Sequence, residues 1–219
     1  IVNKELQKRV ISSLILIPLC FFFIFKGSII FIFFLLFCFF ATSIEWYQMS
    51  KKKNYNLLGY FFLLFSFYCA YNLRTNFGDK SLSIFLLIII TCIFTDIGGY
   101  IFGNIFKGAK LTKISPKKTY SGMIGGFISA VIIASIYFIY PDVNLPEQIK
   151  SIQYYLILVL LISAISQVGD IIVSYFKRLS KIKDTGNLIP GHGGILDRID
   201  GMIFAFPFSY IIFSLEFMK

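Results

Sequence analysis

"YYLILVLLISAISQVGDIIVSYF", residues 154 to 176, runs for 23 positions with polar residues concentrated in its second half. A helix needs about 20 mostly apolar residues to cross the hydrocarbon core of a bilayer, so this stretch is long enough to span one. A strand of an outer-membrane barrel would be about ten residues of alternating polarity, which is not the pattern here. The stretch therefore reads as a transmembrane helix, and it sets the fold class. Ser166, Asp170, Ser174 and the following Lys177 recur at three- and four-residue spacing, which places them on one helix face. With a rise of about 1.5 Å per residue, Asp170 lies roughly 10 Å along the axis from Lys177, below an interface rather than at mid-membrane.

Comparable apolar windows lie near residues 11–25, 27–44, 56–73, 81–106, 121–141 and 201–218. With 154–176 they predict an all-α, polytopic transmembrane helix bundle of about seven spans. A hydrophobic content of 57% and a mean hydropathy of +0.79 exclude an ordinary soluble domain. The first window is short and contains Pro18, so it is expected to tilt, kink or form a hairpin with the second. Its basic approach resembles a signal peptide, but no small-residue cleavage site follows, and it reads as a retained span. Cys20, Cys38, Cys69 and Cys92 all lie in apolar runs without CxxC spacing, as packing residues do. No repeat or low-complexity linker interrupts the chain. Residues 1–80 read as N-terminal hydrophobic spans and 81–219 as a catalytic membrane bundle, within one continuous membrane domain whose loops 107–120 and 177–200 hold the polar chemistry.

Charge sets the orientation. If alternate loops are counted, one set carries sixteen Lys and Arg and the other carries Lys26, Arg74, Lys80, Lys150 and Lys219. Cytoplasmic loops hold the excess, so the N-terminus and the loops 107–120 and 177–200 are expected on the cytoplasmic side. The net charge of +10 is then a basic membrane face that attracts anionic headgroups and a soluble polyanion, and nucleic acid is not an expected partner.

Ionisable groups inside spans are costly and call for a partner or a function. Asp96, in "FTDIGGYIFGNIF" (residues 94–106), and Asp170 both precede basic loops. Each is open to a bland reading as an interhelical hydrogen-bond partner, and Gly98, Gly99 and Gly103 to one as packing glycines. Their company shifts the balance. "KRLSKIKDTGNLIPGHGGILDRIDG", residues 177 to 201, adds Asp184, Asp197 and Asp200 beside Lys177, Arg178, Lys183 and Arg198. Such carboxylates suit Mg²⁺, which takes one or two protein carboxylates and leaves its other positions to water and phosphates. Gly191, Gly193 and Gly194 let backbone N–H groups approach an anion, and a helix starting near Leu196 or Asp197 would aim its positive end there. "SPKKTYSG", residues 115 to 122, offers Ser115, Lys117, Lys118 and Thr119 to phosphate, or is simply a loop and helix start. A lone His192 without cysteine partners excludes a zinc site and reads as a phosphate or loop hydrogen-bonding residue. An ion-coupled transporter is the rival from another class, but it calls for repeats and a polar through-path, whereas the polar residues gather at one face.

Residues 174–200, "SYFKRLSKIKDTGNLIPGHGGILDRID", resemble the signature of the phosphatidate cytidylyltransferases in the order S-x-x-K-R, K-D, P-G-H-G-G, D-R-x-D. Residues 95–122 and "SQVGD" (166–170) are similar to two further family regions, so the resemblance runs from Asp96 to Gly201. It implies transfer of a cytidylyl group from CTP to phosphatidate, giving CDP-diacylglycerol and pyrophosphate, with Mg²⁺ as cofactor. It makes Asp170 and Asp197 the first choice of metal ligands, with Asp200, Asp96 and Asp184 as further carboxylates. Lys177, Arg178, Lys183, His192 and Arg198 match family positions near the phosphates, and Ser174 joins them on the polar stripe. The expected partners are CTP, phosphatidate and membrane lipids; a homodimer stays open, as does another lipid phosphate or polyprenol as acceptor. The expected location is the inner, cytoplasmic membrane, with the active site facing the cytoplasm.

Overall fold

The computed structural model describes residues 2–51 and 53–217. Lys52, Lys219 and the last position of the 201–218 window lie outside these. The chain forms α1 (Val2–Lys26), α2 (Ser28–Ser50), α3 (Asn56–Thr75), α4 (Ser81–Phe106), α5 (Tyr120–Ile139), α6 (Ile152–Leu179), a one-turn α7 (Leu196–Ile199) and α8 (Met202–Phe217). Only isolated β-bridges, such as Lys110 with Thr119, occur among the described residues. The all-α expectation holds, and the protein is a multi-pass membrane protein.

Of the about seven expected spans, five are helices, α2 to α6, that among the described residues are long and apolar enough to cross a membrane. In α1 and α8 the apolar stretches among the described residues are shorter, Val10–Lys26 and Met202–Leu215. Pro18 lies inside an unbroken α1. The turn comes instead at Gly27 and Ser28, whose φ of 61° and 52° fold α1 back on α2 as a hairpin. Arg74 closes this corner, its Nε donating to the Ile24 carbonyl at 3.0 Å.

Lipid tails offer no hydrophobic drive for helices to associate, so close packing and interhelical hydrogen bonds carry the assembly. α4 and α5 make the most extensive contact. A Cβ on Gly122 would lie 2.7 Å from the Gly99 carbonyl oxygen, and one on Gly126 would lie 2.9 Å from that of Thr95. The two backbones touch because neither glycine has a side chain. Thr95 Oγ1 donates to Ser163 Oγ at 2.7 Å, joining α4 to α6, and Ser66 Oγ donates to the Ile203 carbonyl at 2.7 Å, joining α3 to α8. One apolar core surrounds Leu73, Ile84, Ile88, Tyr155 and Phe213, and a smaller one surrounds Trp46, Leu63, Val173, Leu196 and Ile203 beside the last loop. Ile124, Ile128, Ile132 and Ile136 form an exposed stripe on α5, as a lipid-facing surface does.

Candidate active site

The loops 107–119 and 180–195 leave the same end of the bundle and meet over a cavity of about 460 Å³ between α4, α5, α6 and α7. Asp96 comes from α4, Asp170 and Lys177 from α6, and Asp197 and Arg198 from α7, with Asp200 just beyond it. Ser115, Lys117, Lys118, Thr119 and Asp184 complete the polar wall, while Gly99, Tyr100, Met123 and Gln167 line its deeper part. Residues 74 positions apart in sequence or more, Asp96 and Asp170 among them, thus share one chamber.

Two lysines hold three of the acids. Lys118 Nζ lies 2.6 Å from Asp170 Oδ2, and Ser174 Oγ donates to Asp170 Oδ1 at 3.2 Å. Lys177 Nζ lies 2.9 Å from Asp197 Oδ1 and 3.8 Å from Asp200 Oδ2. Asp197 Oδ2 also accepts the N–H of Thr185 at 2.8 Å and of Gly194 at 3.0 Å. Burial raises the Asp197 carboxyl, but the Gly194 N–H, the Lys177 ammonium and the Thr185 N–H outweigh it and hold the group below its ordinary value. Asp200 goes the other way: burial, then the negative charge of Asp170 with that of Asp96 behind it, pushes its carboxyl well up, against the weaker pull of Lys177 and Lys118.

The lining fits a hard divalent cation. It supplies four aspartates expected as ligands, and neither thiol nor imidazole. Among the described residues no three His, Cys, Asp or Glu side chains are grouped so that they could hold a metal ion by themselves. Such a set suits a cation that shares its coordination with substrate phosphates.

Several expected residues stand elsewhere. His192 does not line the cavity; its Nδ1 lies 2.9 Å from Ser12 Oγ and its Nε2 3.4 Å from Ser13 Oγ, tying the loop to α1. Arg178 donates to the Ile182 carbonyl at 3.1 Å, and it and the exposed Lys183 stand outside the lining, as does Ser174, which reaches the site through Asp170. Two of the glycine N–H groups are taken up within the loop: Gly193 N–H donates to the Ile189 carbonyl and Gly194 N–H to the Asp197 carboxylate. Gly193 has φ of 88°, and a Cβ there would meet Asp197 Oδ2 at 2.8 Å. Gly191 also has positive φ. Thr119 caps α5, accepting the Gly122 N–H at 3.1 Å.

One residue escaped the sequence reading. Glu45, near the end of α2, is buried against the loop, and Thr185 Oγ1, Ile195 N–H and Leu196 N–H each donate to it at 2.8 Å. These include the N–H groups at the start of α7, so the helix end expected to face an anion faces Glu45. The signal was available: an acidic side chain just past the apolar window 27–44 is the same kind of anomaly as Asp96 and Asp170.

Residues 58–216 match the cytidylyltransferase family. The phosphatidate cytidylyltransferase of Rickettsia felis is 34% identical over 215 residues, covering 96% of this chain and 93% of that protein. That of Rickettsia bellii is also 34% identical, over 220 residues, covering 96% and 91%. That of Bacillus subtilis is 39% identical over 122 residues, covering 55% of this chain and 44% of that protein. With the match spanning most of the chain and the cavity built from the motif residues, the chain belongs to the cytidylyltransferase family.

Proposed function

We propose that the protein transfers the cytidylyl group of CTP to phosphatidate at the cytoplasmic face of the membrane, in a Mg²⁺-dependent reaction. The observation that carries this reading is the single chamber in which Asp96, Asp170, Asp197 and Asp200 face Lys117, Lys118, Lys177 and Arg198 at one end of a membrane bundle. The named relatives support the choice of substrates. The excess of Lys and Arg in the loops at that end supports its cytoplasmic orientation.

In the reaction an oxygen of the phosphatidate phosphate attacks the α-phosphorus of CTP. A new P–O bond forms, the bond to the β-phosphate breaks, and pyrophosphate leaves with its electron pair. A phosphomonoester has its second pKa near about 6, so the nucleophile is largely ionised at neutral pH and no strong general base is needed. The barrier lies in bringing two polyanions into line, which calls for positioning and charge neutralisation. Lys117, Lys118 and Arg198 line the chamber where they can bind phosphate oxygens, and Lys177 holds Asp197 and Asp200 in place. Asp170 and Asp197, with Asp200 and Asp96 behind them, would hold Mg²⁺. When bound, the cation supplies charge neutralisation for the attacking and leaving oxygens. A chamber at this depth lets the diacylglycerol chains stay in lipid while CTP arrives from water.

The test is incubation of the purified protein in detergent with labelled CTP, phosphatidate and Mg²⁺. A lipid-extractable labelled product that requires all three supports the reading. Equal labelling with ATP in place of CTP, or with diacylglycerol in place of phosphatidate, overturns it.

A further inference from the structure

We propose that Glu45 is a positioning residue that sets the orientation of Asp197 by fixing the start of α7. This deepens the functional reading above and rests on it for its catalytic consequence. α7 has four residues, and a helix that short has no stability of its own, because nucleating a turn costs more than its few hydrogen bonds return. It is tethered from two sides. On one side Glu45 accepts the Ile195 and Leu196 N–H groups and the Thr185 hydroxyl. On the other, Asp197 accepts the N–H groups of Thr185 and Gly194. Thr185 therefore bridges the two acids, its hydroxyl on Glu45 and its N–H on Asp197. Gly194 is gripped between them as well: a Cβ there would lie 2.4 Å from Glu45 Oε2.

The chemistry of the position is specific. A carboxylate presents two oxygens and no hydrogen, so it can accept three donors that converge on it. Glutamine has one such oxygen, and its NH₂ would be turned toward a donor, leaving a buried polar group unsatisfied. Aspartate is one methylene shorter and cannot reach all three. A negative group at the start of a helix also complements the local dipole. Without Glu45 the turn that carries Asp197 and Arg198, and that leads into Asp200, loses its fixed register against α6.

The experiment compares wild type, Glu45→Gln, Thr185→Val and Thr185→Ser in detergent by amide hydrogen exchange, melting temperature, and turnover as a function of Mg²⁺ and of CTP. Exchange in residues 184–197 rises in Glu45→Gln and Thr185→Val while that in α4 to α6 stays as in wild type. Both variants have a lower kcat, at least tenfold lower in Glu45→Gln, and need more Mg²⁺ for half-maximal turnover. Thr185→Ser, which keeps the hydroxyl, behaves as wild type, and Glu45→Gln with Thr185→Val loses less than the two separate losses combined. Wild-type exchange in 184–197, unchanged Mg²⁺ dependence, or a rise in exchange across all helices overturns the proposal. Should Glu45→Gln fail to fold, the comparison of Thr185→Val with Thr185→Ser decides the matter by the same readouts. A wild type without turnover counts against the functional reading alone, and the exchange result then decides Glu45.

Discussion

At Asp197 a single carboxyl collects a lysine and two backbone N–H groups, and this convergence holds it below its ordinary pKa. Asp197→Asn and Asp170→Asn are each expected to lower turnover by at least about 100-fold, the usual effect of removing a group that positions transition-state charge. The measurement is turnover at saturating Mg²⁺ with membrane insertion checked in parallel, and near-normal activity in either variant removes it from the metal set. The two acids of α7 and its end respond oppositely to pH. The folded-state pKa of Asp197 lies below the ordinary 3.8, so its stabilisation is present above that value and is lost only as pH falls through the lower one. The folded-state pKa of Asp200 is raised, so its stabilisation is full below 3.8 and declines as pH rises toward the higher value. In the absence of divalent cation, the melting temperature of the wild type should therefore fall as pH increases from about 4, and Asp200→Asn should flatten that slope. Asp96, Asp170 and Asp197 were legible in the sequence because an ionisable group beside apolar residues, or in a motif with fixed spacing, is visible without a structure. His192 was not, because its partners Ser12 and Ser13 lie about 180 residues away in α1 and no local rule connects them.

Among the elements, α6 was the easiest to read: length, polarity and face all agreed, and the helix Ile152–Leu179 contains the whole predicted span 154–176. α1 and α8 were harder, since their apolar stretches lie at the two ends of the chain and are shorter among the described residues than those of α2 to α6. Gly98, Gly99 and Gly103 of α4 read from the sequence as packing glycines, and they pack against α5. Gly98 shows how tightly: a Cβ would meet Ser129 Oγ at 2.3 Å and the Gly125 carbonyl at 2.6 Å. Gly122→Ala is a direct probe, because its Cβ would press on the Gly99 carbonyl at 2.7 Å and a backbone oxygen cannot rotate away. Overpacking of this kind costs about 1–3 kcal/mol. The expected result is a lower melting temperature in detergent together with reduced turnover, as α4 carries Asp96 and the start of α5 follows Lys118. An unchanged melting temperature would mean that the two helices do not meet so closely.

Across the whole molecule, function depends on two loops about 70 residues apart in sequence meeting at one end of the bundle. Single cysteines placed at Lys110 and Asn187, in a background without the four native cysteines, should react with an impermeant maleimide from the same side of the membrane. A cysteine at Asp142, in the connection between α5 and α6, should react only from the other. Labelling of 110 and 187 from opposite sides would break the topology. The same meeting of loops creates the ion pair between Lys118, at the start of α5, and Asp170 on α6. On the proposed function that pair would be a latch between two incoming guests. A divalent ion would take the carboxylate from the ammonium and a phosphate would take the ammonium from the carboxylate, so each arrival would remove the obstacle facing the other. Affinity for the two would then be coupled, each strengthening the other by the same factor.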